Sequence, residues 1–175
     1  FSSTEKSHVD WPRLAFSTFA LATFGKVMKQ DVYSETAKKS LEFIKKYIFL
    51  DHFAMQHKLL VLAYLGQAST VLDNKSDEAI IYHKTSDVLA NLKFVERVDI
   101  ISLSQVVSFL KGVVSLSPQI SPVIDHIQAY LKRMYMTERY KSSFDFAEWA
   151  EAMNSFSDSE KEIVEDFLLR IEQCQ

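Results

Sequence analysis

The chain has 175 residues, 47% of them hydrophobic and 25% charged, and its formal net charge is −3, which excludes an intrinsically disordered chain. The single cysteine, Cys174, excludes an intramolecular disulfide framework. Three glycines and three prolines are too few for a turn-rich β-sandwich or barrel, so the composition favours an all-α fold.

Apolar residues recur at intervals of three and four, which predicts helices rather than strands. Asp10 is expected to cap a first helix that runs to about Lys29. Ser34 is expected to start the second helix, and the third is expected after Asp51. Residues 76–78, Ser-Asp-Glu, are expected to cap the fourth, because acidic residues in a first turn match the helix dipole.

Four more helices are predicted in the second half of the chain. The capping-box pattern SLSQ at residues 102–105 is expected to open the fifth helix, and Ser121 before a proline the sixth. Apolar residues from Phe146 onward mark the seventh helix. The eighth is expected to open at residues 157–160.

A long uncharged run at residues 14–25, LAFSTFALATFG, raises the question of a membrane segment. A bilayer-spanning helix needs about 20 mostly apolar residues. This run has twelve, and the apolar run at residues 59–66 is shorter still. The sequence therefore predicts no membrane span.

The eight predicted helices are expected to pair into antiparallel hairpins within one all-helical domain that spans residues 1–175. The hairpins cover approximately residues 10–50, 51–95, 100–141 and 143–173. Gly25, Gly66, Gly112 and Asn154 lie near the ends of the four first helices, where a left-handed helix end favours glycine or asparagine. This period in the forties predicts hairpins stacked as a short α-solenoid, and a non-repetitive helical bundle is the alternative.

The run at residues 14–25 resembles the first-helix motif of the octotricopeptide and heptatricopeptide repeat proteins. The matching residues are Leu14, Ala15, Phe19, Ala20, Leu21, Ala22, Phe24 and Gly25, and a reduced form recurs as Leu62, Ala63, Leu65 and Gly66. The resemblance implies helical hairpins in an organellar protein. Proteins of that kind bind RNA in its maturation or translation, or serve as subunits of mitochondrial ribosomes.

The N-terminal residues FSSTEK are typical of what remains after a mitochondrial presequence is removed. They predict a location in the mitochondrial matrix or on the matrix side of the inner membrane.

The sequence offers no pattern for catalysis or metal binding. His52 and His57 are five residues apart, so they cannot share a metal as an i, i+4 pair would. The carboxylates of Glu162, Glu165 and Asp166 are expected on a solvated helix face. We therefore expect no enzyme activity, no cofactor, no metal and no small-molecule substrate.

Two groups of basic residues form the candidate binding site for RNA or for an acidic partner. The first is Lys38, Lys39, Lys45 and Lys46, whose spacing of seven predicts one side of the second helix. The second is Lys132, Arg133, Arg139 and Lys141. In a solenoid the two groups could join into a stripe that faces phosphates, and solvated helix faces are the alternative.

Aromatic side chains near these groups are expected to stack on RNA bases. They are Tyr33, Tyr47, Tyr130, Tyr135 and Tyr140. Trp11 and Trp149 are expected to pack between hairpins instead.

These features predict a non-catalytic structural subunit of a mitochondrial multi-subunit assembly. The favoured assembly is the mitoribosome or another RNA-associated complex, with protein subunits and RNA as partners. The alternative is an accessory subunit of a respiratory complex or ATP synthase, held by protein contacts alone.

Overall fold

The computed structural model describes residues 9–48, 55–90, 97–114, 120–141, 144–156 and 160–173. These ranges hold eight α-helices, and the predicted all-α class is confirmed. The helices are α1 (Trp11–Met28), α2 (Asp31–Ile48), α3 (Met55–Val71), α4 (Lys75–Ala90), α5 (Ile100–Val113), α6 (Ser121–Glu138), α7 (Phe146–Met153) and α8 (Lys161–Gln173).

Two kinds of helix contact build the fold: those between consecutive helices and those among the odd-numbered helices. α1 packs on α2, α3 on α4 and α5 on α6, while the odd-numbered helices contact each other in the sequence α1, α3, α5, α7. α3 lies between α1 and α5, and residues 61–66 in its middle are all buried. This order is the one expected for the first three hairpins, whereas the fourth hairpin, the repeat and the hairpin boundaries stay predictions. Among the described helices, none combines the length and apolarity that a bilayer crossing requires.

The connection between α1 and α2 is shorter than the sequence predicted. Asp10 caps α1 as predicted and accepts a hydrogen bond from the amide of Arg13 at 3.1 Å. The second helix begins at Asp31, so the prediction that Ser34 starts it is wrong. Lys29 adopts a left-handed conformation with φ of 53°, which ends α1 and lets the chain reverse within two residues.

Two other helices start before the predicted serine-containing motifs. Asn74 accepts a hydrogen bond from the amide of Asp77 at 3.2 Å, so α4 begins ahead of the Ser-Asp-Glu motif. Asp99 accepts from the amide and the hydroxyl of Ser102 at 2.8 and 2.7 Å. Both predicted caps are wrong, because Asn74 stands two residues before Ser76, and Asp99 three residues before Ser102, and each accepts from an amide of the first turn. Asp77 and Glu78 nevertheless lie in the first turn of α4, as predicted.

The other predicted helix starts agree with the structure wherever it describes the residues concerned. α6 begins at Ser121 and α7 at Phe146, with Asp145 accepting hydrogen bonds from two amides of the first turn at 2.9 and 3.1 Å. α3 is described from Met55 and α8 from Lys161. The stretches 51–54 and 157–159, which include most of the predicted starts of these two helices, lie outside the described residues.

Two of the three glycines, Gly25 and Gly66, lie at close helix contacts, and the prediction that the glycines mark left-handed helix ends is wrong. No glycine has a positive φ, and Asn154 has a right-handed φ of −64°. A Cβ on Gly25 would lie 2.8 Å from the backbone nitrogen of Ser34, and one on Gly66 would overlap the ring of Phe109. Glycine therefore allows α1 to approach the start of α2, and α3 to approach α5.

A hydrogen-bonded contact attaches α8 to α6. The buried Tyr135 hydroxyl donates to Asp166 Oδ2 at 2.6 Å, and the Arg139 guanidinium lies 3.0 Å from the same oxygen. The prediction that Asp166 belongs to a solvated acidic face is wrong, whereas Glu162 and Glu165 are exposed as expected. The hydrogen bond from Tyr135 and the charge of Arg139 lower the pKa of Asp166.

Replacing Asp166 with Asn is expected to weaken folding at neutral pH by about 1 kcal/mol, because a partly exposed charged acceptor is lost. Since the folded pKa is lowered, this stabilisation is present above the unfolded value near 4 and is lost as pH falls further. Urea unfolding of both proteins between pH 7 and pH 2 should show the difference shrinking below about pH 4. A difference that stays constant across this range would contradict the contact.

Candidate interaction surface

The four lysines of α2 divide between two sides of the helix. Lys45 is only 16% exposed and bonds Asp77 Oδ1 of α4 at 2.5 Å and Glu42 Oε1 at 2.8 Å. Burial alone would lower the pKa of Lys45, but the hydrogen bonds with both carboxylates outweigh it and raise the pKa. Lys38, seven residues earlier on the same side, pairs with Glu35 at 2.7 Å.

The other two lysines of the first group, Lys39 and Lys46, are directed away from α4. Each follows its neighbour by one residue, or about 100° around the helix. Both side chains are exposed, and neither forms an ion pair within the described part of the chain. These two lysines are therefore exposed without such an ion pair, whereas Lys38 is 51% exposed but paired with Glu35 and Lys45 is mostly buried.

Two aromatic rings lie on the same side of α2 as these lysines. Phe43 is 45% exposed and Tyr47 is 41% exposed, and their ring centres lie 5.0 Å apart. The ring of Trp11 in α1 contacts both of them, with its centre 6.2 Å from that of Phe43 and 5.2 Å from that of Tyr47. We call Lys39, Phe43, Lys46 and Tyr47 the α2 outer face.

The sequence reasoning missed Phe43, although a signal for it was present. The core side of α2 is Leu41, Ile44 and Ile48, all of them buried as predicted. Phe43 lies four residues after one lysine and three before another, so it shares their side of the helix. An aromatic residue placed among exposed lysines, away from the core positions, is the pattern that would have indicated it.

Exposed apolar side chains extend this surface towards the turn between α1 and α2. Phe24 and Met28 near the end of α1 and Val32 at the start of α2 are all exposed. Phe24 contacts the ring of Tyr33 edge-on at 4.9 Å. Contiguous exposed apolar residues of this kind are typical of a contact surface.

The second basic group is more strongly engaged within the chain. Arg139 pairs with Asp166, and its guanidinium lies 4.7 Å above the ring of Tyr140. Lys141 approaches Glu138 at 3.7 Å, whereas Lys132 and Arg133 are exposed. The stripe that would join this group to the lysines of α2 stays a prediction.

The predicted stacking aromatics are only partly available. Tyr130 and Tyr135 are buried in the core, so their assignment to a base-stacking surface is wrong. Tyr47 and Tyr140 are exposed, and Tyr33 is half-buried.

The two tryptophans differ in their contacts. Trp149 of α7 is buried against Tyr135 of α6, with ring centres 5.2 Å apart, so it packs where the predicted third and fourth hairpins would meet. Trp11 was also predicted to pack between hairpins. Its ring contacts with Phe43 and Tyr47 instead join the two helices of the first predicted hairpin.

No group of three or more histidine, cysteine, aspartate or glutamate side chains that could hold a metal occurs among the described residues. His57, His83 and His126 are all exposed. His8, His52 and Cys174 lie outside the described ranges.

The structure thus presents one surface that combines exposed cations, exposed rings and exposed aliphatic side chains. That surface belongs to the first hairpin, which also carries the repeat-like run at residues 14–25. Comparison of the chain with protein families, with curated proteins and with solved structures found no match.

Proposed function

We propose that this protein is a non-catalytic subunit of a mitochondrial RNA-associated assembly, the mitoribosome or a related ribonucleoprotein, and that the α2 outer face contacts single-stranded RNA. The observation that carries the proposal is the alternation of exposed lysines and exposed rings along one side of α2. Lysines neutralise phosphates, and aromatic faces stack on bases without needing a particular sequence.

The rigid support of the two rings favours this function over a solvated helix surface. Phe43 and Tyr47 rest on Trp11, which itself is only partly exposed, so their positions are set before a partner arrives. A ring held in place loses less conformational freedom on binding than a mobile one. The mitochondrial location rests on the resemblance of residues 14–25 to organellar repeat proteins.

A second candidate function follows from the apolar part of the first hairpin. Exposed Phe24, Met28 and Val32 suit a protein contact better than an RNA contact, because they bring no charge and little aromatic surface. They favour the alternative of an accessory subunit in a respiratory complex or ATP synthase, held by protein partners.

The RNA contact predicts a specific dependence on salt. Each phosphate that a single strand places on a lysine contributes about −0.7 to the slope of log affinity against log salt. Replacing both Lys39 and Lys46 with Gln should make this slope less steep by about 1.4. Fluorescence anisotropy of a labelled, unstructured RNA titrated with the full chain at several salt concentrations measures it.

Matched variants distinguish RNA binding at the α2 outer face from a general effect of the protein's charge. Lys161→Gln on α8 removes an exposed lysine, one that pairs with Glu165, outside the α2 outer face and should leave the slope within error. Phe43→Leu keeps an apolar side chain but removes the ring, and should weaken binding by at least about fivefold. Unchanged slope and affinity in the lysine and Phe43 variants would reject the RNA contact and leave the protein-held alternative.

A further inference from the structure

A groove of about 530 Å³ crosses the odd-numbered helices on a different part of the molecule from the α2 outer face. Four helices contribute to it, because α1, α3, α5 and α7 contact one another in that order. Its lining residues are Phe16, Phe19, Tyr64, Gln105, Glu151 and Asn154.

A chain of hydrogen bonds fixes a carboxylate in this groove. Gln67 of α3 donates to the side-chain oxygen of Gln105 at 2.9 Å, and the Gln105 amide nitrogen donates to Glu151 Oε1 at 2.8 Å. The Tyr64 hydroxyl donates to the same oxygen at 2.9 Å. The other oxygen of Glu151, Oε2, takes no part in these bonds. Hydrogen bonds to one oxygen therefore hold the carboxylate in place, and the second oxygen is an acceptor for a ligand in the groove.

Further titratable side chains lie around this carboxylate. Burial and the hydrogen bond to Glu151 raise the pKa of Tyr64, so its hydroxyl stays a neutral donor. One turn before Glu151, the pKa of Glu148 is raised by burial and by the charges of Asp145, Asp99 and Glu138. The charge of Asp99 also helps to raise the pKa of Tyr64, so a further carboxylate lies near the groove and favours a cationic ligand there.

Aromatic rings complete the groove. Phe16 is 49% exposed and contacts Tyr64 edge-on, with ring centres 5.3 Å apart. Phe19, one turn later on the same side of α1, stacks on Tyr64 with ring centres 6.2 Å apart. An exposed ring beside a fixed carboxylate can hold a flat cation, because the ring face attracts positive charge.

We propose that this groove binds an arginine side chain presented by a partner protein. The guanidinium is planar, so it can lie against Phe16 while its N–H groups reach Glu151, whereas the compact lysine ammonium meets one of the two features less well. This proposal is independent of the RNA contact, since the groove and the α2 outer face share no residue.

The test uses the full chain, labelled with nitrogen-15, and N-acetyl-arginine amide as the probe. Millimolar probe should produce saturable shifts of the Gln105 side-chain amide signals. N-acetyl-citrulline amide has nearly the same shape without the charge and should produce none. Glu151→Gln, which keeps an acceptor for Tyr64 and Gln105, should weaken the arginine probe at least tenfold.

Phe16→Leu provides a second variant, which keeps Glu151 and both of its hydrogen-bond donors, Tyr64 and Gln105, in the chain. Leucine fills the same exposed position without a ring and should weaken the arginine probe by a few-fold while the melting temperature stays unchanged. Equal shifts with the citrulline probe would overturn the proposal. It would also be overturned if adenosine monophosphate, rather than the arginine probe, shifted the Gln105 signals, because the groove would then belong to a nucleotide.

Discussion

Replacing Lys45 with Glu is expected to reduce the free energy of unfolding by about 3–5 kcal/mol. The Lys45 ammonium lies 2.5 Å from Asp77, whose side chain is only 7% exposed at the start of α4. Removing the cation leaves Asp77 buried without its counter-charge, and the introduced carboxylate adds repulsion. Urea unfolding followed by circular dichroism measures the loss.

Lys46→Glu is the matched control, because it reverses the charge of the adjacent but exposed residue. Its effect on stability should stay within about 0.5 kcal/mol. Equal effects of the two substitutions would show that the Lys45–Asp77 pair does not connect α2 to α4. The contrast also restricts the functional test, since reversing all four lysines of α2 would unfold the protein and could not report on binding.

Gly66→Ala is expected to destabilise the protein by about 1–3 kcal/mol, although alanine is the better helix former. The added Cβ would overlap the ring of Phe109, which is itself buried among the side chains of the core. The cost therefore falls on the contact between α3 and α5 in the centre of the stack. Thermal unfolding at matched concentration measures the change.

Gly112→Ala serves as the control for helix propensity. A Cβ at this position meets no atom within 4 Å, so the substitution should stabilise α5 by about 0.5–1 kcal/mol. Opposite signs for the two glycines are the expected result. Stabilisation by both substitutions would mean that α3 and α5 do not approach as closely as the structure has them.

The periodicity of the sequence predicted what depends on local pattern. The buried side of α2, with Leu41, Ile44 and Ile48, follows from apolar residues at intervals of three and four. The cap by Asp10 follows from the residue type at one position. These features need no knowledge of distant segments.

The features that the sequence did not predict depend on residues far apart in the chain. Lys45 meets Asp77 across 32 positions, and Tyr135 meets Asp166 across 31. Nothing near Lys45 in the sequence distinguishes it from exposed Lys46, because the difference is set by where α4 packs. The same holds for Gly66, whose role depends on a ring of another hairpin.

The groove also could not be predicted from any single segment of the sequence. Its carboxylate, Glu151, lies on a short helix whose acidic residues look solvated in isolation. Only the stacking of α3, α5 and α7 brings Tyr64 and Gln105 to the same oxygen. A hydrogen-bond network that joins three helices is a tertiary property that a single sequence does not reveal.

Sedimentation of the native protein from gently lysed mitochondria, with and without RNase, tests the proposed function most directly. Membership in a ribonucleoprotein predicts co-migration with a large particle that collapses on RNase treatment, and the protein should then appear in lighter fractions. Co-migration with a membrane complex that RNase leaves intact would contradict the RNA association and support a subunit held by protein contacts alone.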